Sequence, residues 1–489
     1  MPNRPEAAST RYELLARELE HQILAGVLRP GDRLPSVRQA CATRRLSPST
    51  VFQAYYLLES RGLVRAVPRS GYFVAARANG ASLPEPQATQ PRSGSQPVEI
   101  NELIYACLGT ARARTVVPFG SAFLSPALFP LDRLRSAMVS SMRQRDPWRM
   151  LDDLPPGNLH LKREIAKRYL RHGFAVPTDE IVLTHGAIEA LNLCLNAVTR
   201  PGDAVVVESP TFYVALQALQ RLGLRAIEVQ THVREGIDLG RLARVIELHR
   251  PKACWLMTNF QNPLGSLMPE AKKRDLVALL ALHDLPLIED DVYAELYEGN
   301  AAPLPAKAFD RRGLVLHCSS FSKCLAPGYR VGWATPGRFT REVERLKLMT
   351  SLSGSIPVQA ALAGYLQEGG YDRHLRTLRQ SLQAQRDSLF DAVTRFFPDG
   401  TRAIRPAGGY FVWVELPTGV DAMALHRAAL AQHISLAPGP MFSAQAEFQH
   451  HIRLTCGQPW DATRERAMRT LARLVADAPR SEAPAQQAL

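Results

Sequence analysis

Residues 319–333 read Ser-Ser-Phe-Ser-Lys-Cys-Leu-Ala-Pro-Gly-Tyr-Arg-Val-Gly-Trp, SSFSKCLAPGYRVGW. A single lysine, Lys323, stands among serines, with Arg330 downstream. The apolar run Leu314–Ser319 before it and Arg330–Ala334 after it read as strands, so the lysine sits in a polar turn at the end of one. The pattern repeats outward. Apolar runs at Ile181–Thr184, Ala204–Glu208, Ala226–Val229, Ala253–Met257 and Pro286–Asp290 alternate with helical stretches. Polar segments follow most of them: Thr184–Ala187, Glu208–Phe212, Asn259–Gly265 and Glu289–Tyr293. Near-continuous apolar strands with helices between them predict an α/β fold: a mostly parallel sheet covered on both faces, with ligands outside the carboxyl ends of its strands.

The chain has 489 residues, of which 46% are hydrophobic, 7% aromatic and 21% charged, enough to bury more than one core and to exclude disorder throughout. No stretch reaches the ~18 uninterrupted apolar residues of a membrane helix, and Arg4, Glu6, Arg11 and Glu13 stand where a signal peptide needs an apolar run. A soluble cytoplasmic protein, with no membrane partner, is expected. Seven scattered cysteines (41, 107, 194, 254, 318, 324, 456) without a CxxC pair argue for reduced thiols and against a metal site. Net charge is +13, and its distribution is uneven: residues 1–77 hold twelve arginines, no lysine and six acids. A basic terminus of this kind suits a polyanion or merely solvates a surface.

Between residues 78 and 98 the sequence NGASLPEPQATQPRSGSQPV is rich in Pro, Ser and Gly and reads as a linker. It separates a domain at 1–77 from one at 99–478, with a frayed tail at 479–489. In the first, a helix over Arg11 to Ala25 carries Leu14, Leu15, Leu19, Ile23 and Leu24 at helical spacing. Ser36 caps a second helix, and Ser47 with Pro48 starts a third, carrying Val51, Tyr55, Leu57 and Leu58. Two β-prone runs, Leu63–Val67 and Tyr72–Ala75, flank Pro68-Arg69-Ser70-Gly71. Three helices followed by a hairpin predict a winged helix-turn-helix whose third helix enters the major groove.

The segment GDRLPSVRQACATRRLSPSTVFQAYYLLESRGLVRAVPRSGYFV resembles the GntR-type winged helix over its whole length. That resemblance implies double-stranded DNA as partner, with Arg38, Ser47, Ser49 and Thr50 at phosphates and Arg69 and Gly71 in the wing. Short hydroxyls at a helix start suit phosphate. Gln53, one turn in, is the candidate base reader, since its amide pairs bidentately with adenine; a solvated face is the alternative. Ser47 is also the natural helix cap. Arg45 stands where the turn usually has Gly, and Pro48 and Phe52 occupy positions where some relatives place Arg, so base specificity does not carry over.

In the larger domain the polar segments supply one lysine among serines, an arginine, an acid–tyrosine pair, an Asn-Pro turn, a Gly-bearing helix start and an aromatic after proline. Pyridoxal phosphate needs such groups: an amine for its aldehyde, hydroxyls, Arg and a helix N-terminus for its phosphate, and a carboxylate for its ring nitrogen. SSFSKCLAPGYRVGW, EDDVYAEL and NPLG resemble the fold type I aminotransferases, and the likeness spans about residues 100 to 478. By that resemblance a smaller C-terminal α+β subdomain follows the sheet. Lys323 is then the Schiff-base lysine, Asp290 the partner of the ring nitrogen, and Tyr293 with Asn262 the donors to the ring 3-oxygen. Phe212 stacks on the ring, with Tyr213 as competitor. Ser320, Ser322 and Arg330, with the backbone at Gly186 and Ala187, hold the phosphate, and Arg453 in HIRLTCG clamps a ligand α-carboxylate. His185, His283 and His317 read as ordinary residues. Asp152 stands near the place of a family tyrosine, and Ile188 stands where many transaminases carry a polar residue; the resemblance carries cofactor binding through both changes but not tuned turnover.

A GntR-type winged helix, a Pro-rich linker and an aminotransferase-like domain in that order resemble the MocR family of bacterial transcription regulators. The resemblance implies a regulator that senses a small amino compound through pyridoxal phosphate, and a head-to-tail homodimer. The rival reading is a working aminotransferase using an amino acid and a 2-oxo acid. A third is a regulator of which pyridoxal phosphate is itself the signal. Twelve arginines on the appended winged helix favour a regulator.

Overall fold

The computed structural model describes residues 11–24, 27–28, 31–44, 46–60, 63–67, 71–74, 83–88, 91, 94–98, 104–105, 115–143, 154–299 and 301–479. The chain divides into two compact units, Met1–Ser82 and Leu83–Leu489.

The first unit holds helices α1 (Arg11–Leu24), α2 (Val37–Arg44) and α3 (Pro48–Ser60) and an antiparallel hairpin of β1 (Val64–Val67) and β2 (Gly71–Val74). Local chemistry sets each start. Ser36 and Gln39 cap α2 reciprocally: the Gln39 amide donates to Ser36 Oγ at 3.3 Å, and the Ser36 amide donates to Gln39 Oε1 at 3.0 Å. At α3, Ser47 Oγ accepts from the Thr50 amide at 3.2 Å and Pro48 supplies the preset φ of a first helical residue. Asp32 and Leu34 bond to β2, which the Leu34 amide reaches at the Tyr72 carbonyl, 2.8 Å away. Leu15, Leu19, Val51, Tyr55, Leu58 and Val64 close the core, and the Tyr55 hydroxyl donates to the Pro35 carbonyl at 2.7 Å. Leu14 stays outside this core. It is 54% exposed, because the buried stripe of α1 runs through Leu15, Ala16 and Leu19 and leaves Leu14 on the flank.

In the second unit β3 (Val117–Pro118) precedes the main sheet of β4 (Val182–Thr184), β5 (Ala204–Ser209), β6 (Arg225–His232), β7 (Gly236–Ile237), β8 (Ala253–Leu256), β9 (Leu287–Asp290), β10 (Val315–Ser320) and β11 (Gly332–Thr335). Their order is β4-β11-β10-β9-β8-β5-β6-β7. Neighbours from β10 through β6 pair in parallel, while β11 runs antiparallel to both β10 and β4, and β7 to β6. The reversal at β11 follows from chain length: the short Phe321–Val331 connection returns a strand but cannot make a parallel crossover. Arg330 itself, within a β-like run, takes a left-handed turn conformation at φ 52° after Pro327–Tyr329, and the strand begins at Gly332. In β5, Val205 and Val207 enter one packed layer and Val206 the other, so both sheet faces are covered.

The C-terminal subdomain adds β12 (Arg402–Ala403), β13 (Phe411–Glu415), β14 (Ile434–Ser435), β15 (Ala437–Pro438) and β16 (His451–Thr455). Four of these form an antiparallel sheet, β12-β13-β16-β15, with helices Gly370–Phe396, Ala422–Ala431 and Ala462–Ala476; β14 pairs with β3. Asp421 and Asp461 cap two of these helices by accepting from the Ala424 and Arg464 amides.

The described parts of the Pro-rich stretch lie on this second unit. Gln96 pairs through both backbone groups with Ala226 at 2.9 Å, and Ser95 accepts from the Arg225 guanidinium. Pro84 accepts from the Ala403 amide at 3.0 Å, and the Gln87 amide donates to Glu415 at 2.6 Å. Among the described residues no helix is long and apolar enough to cross a membrane, and no cluster of three metal-ligating side chains occurs.

Candidate functional site

The carboxyl ends of β4, β5, β8, β9 and β10 place their polar turns along one edge of the sheet, and β11 starts there. Lys323 lies in the turn after β10. Its Nζ donates to the Ala122 carbonyl at 2.9 Å and sits 5.2 Å from the Phe123 ring centre and 5.9 Å from that of Tyr293. Desolvation, then the nearby Arg453 cation, lower its ammonium to about 8.

Asp290, the last residue of β9, is 1% exposed, and neither carboxylate oxygen has a well-formed hydrogen bond. Burial, then the neighbouring Asp291 charge, push it up to about 7. A buried carboxylate without a partner is costly, and a protonated ring nitrogen is the kind of group that relieves it. Tyr293 packs edge-on against Tyr410 and Phe411, each 5.5 Å away, and burial raises its phenol.

Gly186 ends the turn after β4 at φ 82°, and helix Ala187–Val198 begins at the next residue. A Cβ on Gly186 would collide with the Arg330 guanidinium, and one on Gly332 would lie 2.7 Å from the Ala187 amide. Two glycines thus let strand, helix start and arginine close into a cradle. Arg330 donates to Ser322 Oγ at 3.3 Å and to the His185 carbonyl at 3.2 Å, while the Ser322 amide donates to Ser320 Oγ at 3.3 Å. Behind the cradle Glu189 accepts from the His185 amide at 2.6 Å and from the buried Lys347 at 3.0 Å.

Arg453, on β16, is 1% exposed. It donates to Asn262 Oδ1 at 3.0 Å and to the Gly120 carbonyl at 2.6 Å, and lies over the rings of Phe411 and Phe442. Its Nε and the Asn262 Nδ2 have no hydrogen-bond partner, and the groups that receive its hydrogen bonds are neutral. A buried cation lacking an anion suits a carboxylate ligand. Phe212 precedes helix Tyr213–Arg221 and meets Tyr213 at 4.9 Å; Tyr213 in turn contacts Phe442.

The structure thus brings Asn262 and Arg453 into direct contact and groups Ser320, Ser322, Arg330 and Gly186. Phe123 and Tyr410 were not singled out from sequence, although the Tyr410 hydroxyl shares the Ala122 carbonyl with Lys323. The pair Gly408-Gly409 before Tyr410 was a usable signal, since a Cβ on Gly408 would strike Phe260. Lys347 carried no sequence signal. Asp152 and Arg69 lie outside the described residues.

In the first unit Arg38, Ser49 and Gln53 are exposed, and Ser47 Oγ lies 2.9 Å from Ser49 Oγ and 2.8 Å from Thr50 Oγ1, a hydroxyl cluster at the start of α3. Gly71 opens β2 at φ 102°.

Residues 153–471 match the family model for aminotransferase class I and II, and residues 11–74 that for bacterial regulatory proteins of the gntR family. The chain is 47% identical to the uncharacterized HTH-type transcriptional regulator YdcR of Escherichia coli, over 95% of this chain and 99% of that one. To YjiR of the same organism, also an uncharacterized HTH-type transcriptional regulator, it is 37% identical over 95% and 99%. Among solved structures it resembles LysN, the alpha-aminoadipate aminotransferase of Thermus thermophilus, complexed with N-(5'-phosphopyridoxyl)-L-leucine. Identity is 28% and the TM-score 0.69, over 78% of this chain and 98% of that one.

Proposed function

The chain belongs to the aminotransferase class I and II family, in the MocR-type group that carries a GntR helix-turn-helix ahead of that domain, and from this we infer a transcription regulator that binds DNA and senses a small amino compound. The aminotransferase class I and II fold is pyridoxal-phosphate dependent. The orphaned Asp290 carboxylate and the glycine-lined cradle fit that group.

In this reading Lys323 would hold the cofactor covalently, Asp290 would keep its ring nitrogen protonated, Asn262 with Tyr293 would serve the ring 3-oxygen, and Phe212 would stack on the ring. Ser320, Ser322, Arg330, Gly186 and Ala187 take the phosphate, and Arg453 takes the effector carboxylate. Bound pyridoxal phosphate supplies an aldehyde that joins amines covalently and a ring that withdraws electrons. Arg38, Ser47, Ser49 and Thr50 meet DNA phosphates, Gln53 a base, and the wing with Arg69 and Gly71 the backbone. A DNA operator as target places the protein in the cytoplasm, and a head-to-tail homodimer on two half-sites suits a regulator of this kind.

One observation carries the effector reading: Arg453 is a buried cation whose partners are neutral. Fluorescence anisotropy of a duplex from the upstream intergenic region, with cofactor-loaded protein and a panel of amino acids, tests it. At least one amino acid should change DNA affinity. A retained Lys323 and Asp290 also suit turnover, and steady transamination without any effect on DNA binding would favour the enzyme.

A further inference from the structure

Helix α3 presents Ser49, Phe52, Gln53 and Tyr56 as one continuous exposed face, spaced i, i+3, i+4 and i+7 from Ser49. Phe52 and Tyr56 are 52% and 56% exposed, whereas Val51, Ala54, Tyr55 and Leu58 point into the core. The helix, PSTVFQAYYLLES, contains no arginine and no lysine, and Glu59 is its single charge. Guanine is most often read by a cationic fork at its O6 and N7, and this helix has none. What it offers is an amide at Gln53 and an apolar ring beside it at Phe52. An A·T pair presents the matching groups in the major groove: adenine N7 and N6 for an amide, and the thymine methyl for an apolar side chain. Solvated phenylalanine on a helix whose start is lined by hydroxyls, in a unit with twelve arginines, finds in a duplex an occupant of the right charge and an apolar methyl within the groove.

We propose that Phe52 is a specificity-determining residue that reads a thymine 5-methyl group next to the base pair read by Gln53, so that each operator half-site is A·T at the centre of its α3 contact. This rests on the DNA-binding reading above and adds the base class to it.

The test uses the full-length protein and duplexes selected by it from a randomised pool, then resynthesised with deoxyuridine in place of thymidine, which removes only the methyl. Wild type should lose about fourfold affinity per half-site, the equivalent of one buried methyl group. Phe52→Ala should bind the thymine duplex more weakly and bind the two duplexes equally; Phe52→Leu, which keeps an apolar tip, should retain part of the difference. Because Phe52 is exposed, circular dichroism should show both variants folded. Equal affinity of wild type for both duplexes, or the full thymine preference persisting in Phe52→Ala, overturns the proposal while leaving DNA binding intact. A change in oligomeric state with Phe52→Ala and no change in thymine preference would assign the face to a protein contact instead. Failure of wild type to enrich any duplex would refute the DNA-binding reading itself.

Discussion

Arg453 Nη1 lies 3.0 Å from Asn262 Oδ1, both side chains fully buried, so a strand of the C-terminal subdomain and the turn after β8 meet at one hydrogen bond. The arginine's other bond goes to the Gly120 carbonyl. In the reading proposed above, an effector carboxylate at Arg453 would compete for the same donors and so perturb the contact between that strand and that turn. Arg453→Gln should abolish the response of DNA affinity to every amino acid while leaving effector-free DNA affinity within about twofold. Losing the buried charge-assisted bonds should cost about 1–3 kcal/mol of stability, measured by denaturant unfolding.

Asp290 should destabilise the cofactor-free protein once pH rises above about 7. Its carboxyl is raised from an ordinary 3.8 to about 7 by burial, so the native state holds a proton that the unfolded chain has released. The favourable contribution is full below about pH 4 and is lost as pH rises through about 7. Cofactor-free Asp290→Asn should therefore be more stable than wild type at pH 8, by about 2–4 kcal/mol, with the gap closing near pH 4. Thermal melts at the two pH values check this. The same variant should hold pyridoxal phosphate less tightly and show a changed absorbance spectrum.

Lys323, lowered to about 8 by desolvation, exposes a neutral amine at mildly alkaline pH. Borohydride-trappable labelling by added pyridoxal phosphate should speed up as pH rises through about 8 and should vanish in Lys323→Ala. Peptide mapping of the trapped product identifies the residue. A label elsewhere would remove Lys323 from its role.

Gly186 adopts φ 82° and ψ 170°, a region essentially restricted to glycine. Gly186→Ala should cost about 1–3 kcal/mol of strain. Since its Cβ would displace Arg330, cofactor affinity should fall at least about tenfold, a loss comparable to that strain energy. A fluorescence titration with pyridoxal phosphate measures it.

Arg38→Ala should weaken binding to all sequences and reduce the slope of log affinity against log salt by about one. Gln53→Ala should instead relax preference at one base pair by about 1–3 kcal/mol with the slope unchanged. Equal loss on selected and random duplexes would take base reading away from Gln53.

Much of this was legible in the chain because strand ends advertise themselves. Apolar runs such as Ala204–Glu208 announce a sheet buried on both faces, and the polar turns after them carry the site. Sheet direction was less legible, since alternation in Arg330–Ala334 is the same whichever way β11 runs; only the short connection from β10 settles it. The Arg453–Asn262 bond spans 191 residues of sequence and has no local signal. Leu14 reads as helical core by spacing, yet a neighbouring stripe won the burial, because two candidate stripes overlap on α1. Ser47 combines both of its sequence readings, being a cap whose hydroxyl also belongs to the cluster at the start of α3.

An amino compound bound beside Lys323 should act on DNA affinity instead of being consumed. The direct measurement is a DNA titration of cofactor-loaded full-length protein, with and without amino acids, run beside an assay for 2-oxo acid formation on the same samples. One amino acid should shift the DNA dissociation constant by about 5- to 150-fold, corresponding to a coupling of about 1–3 kcal/mol, with no shift in Lys323→Ala and little product. Transamination near a typical enzyme turnover of about 10 per second, with DNA affinity unchanged by every amino acid, would overturn the regulator reading.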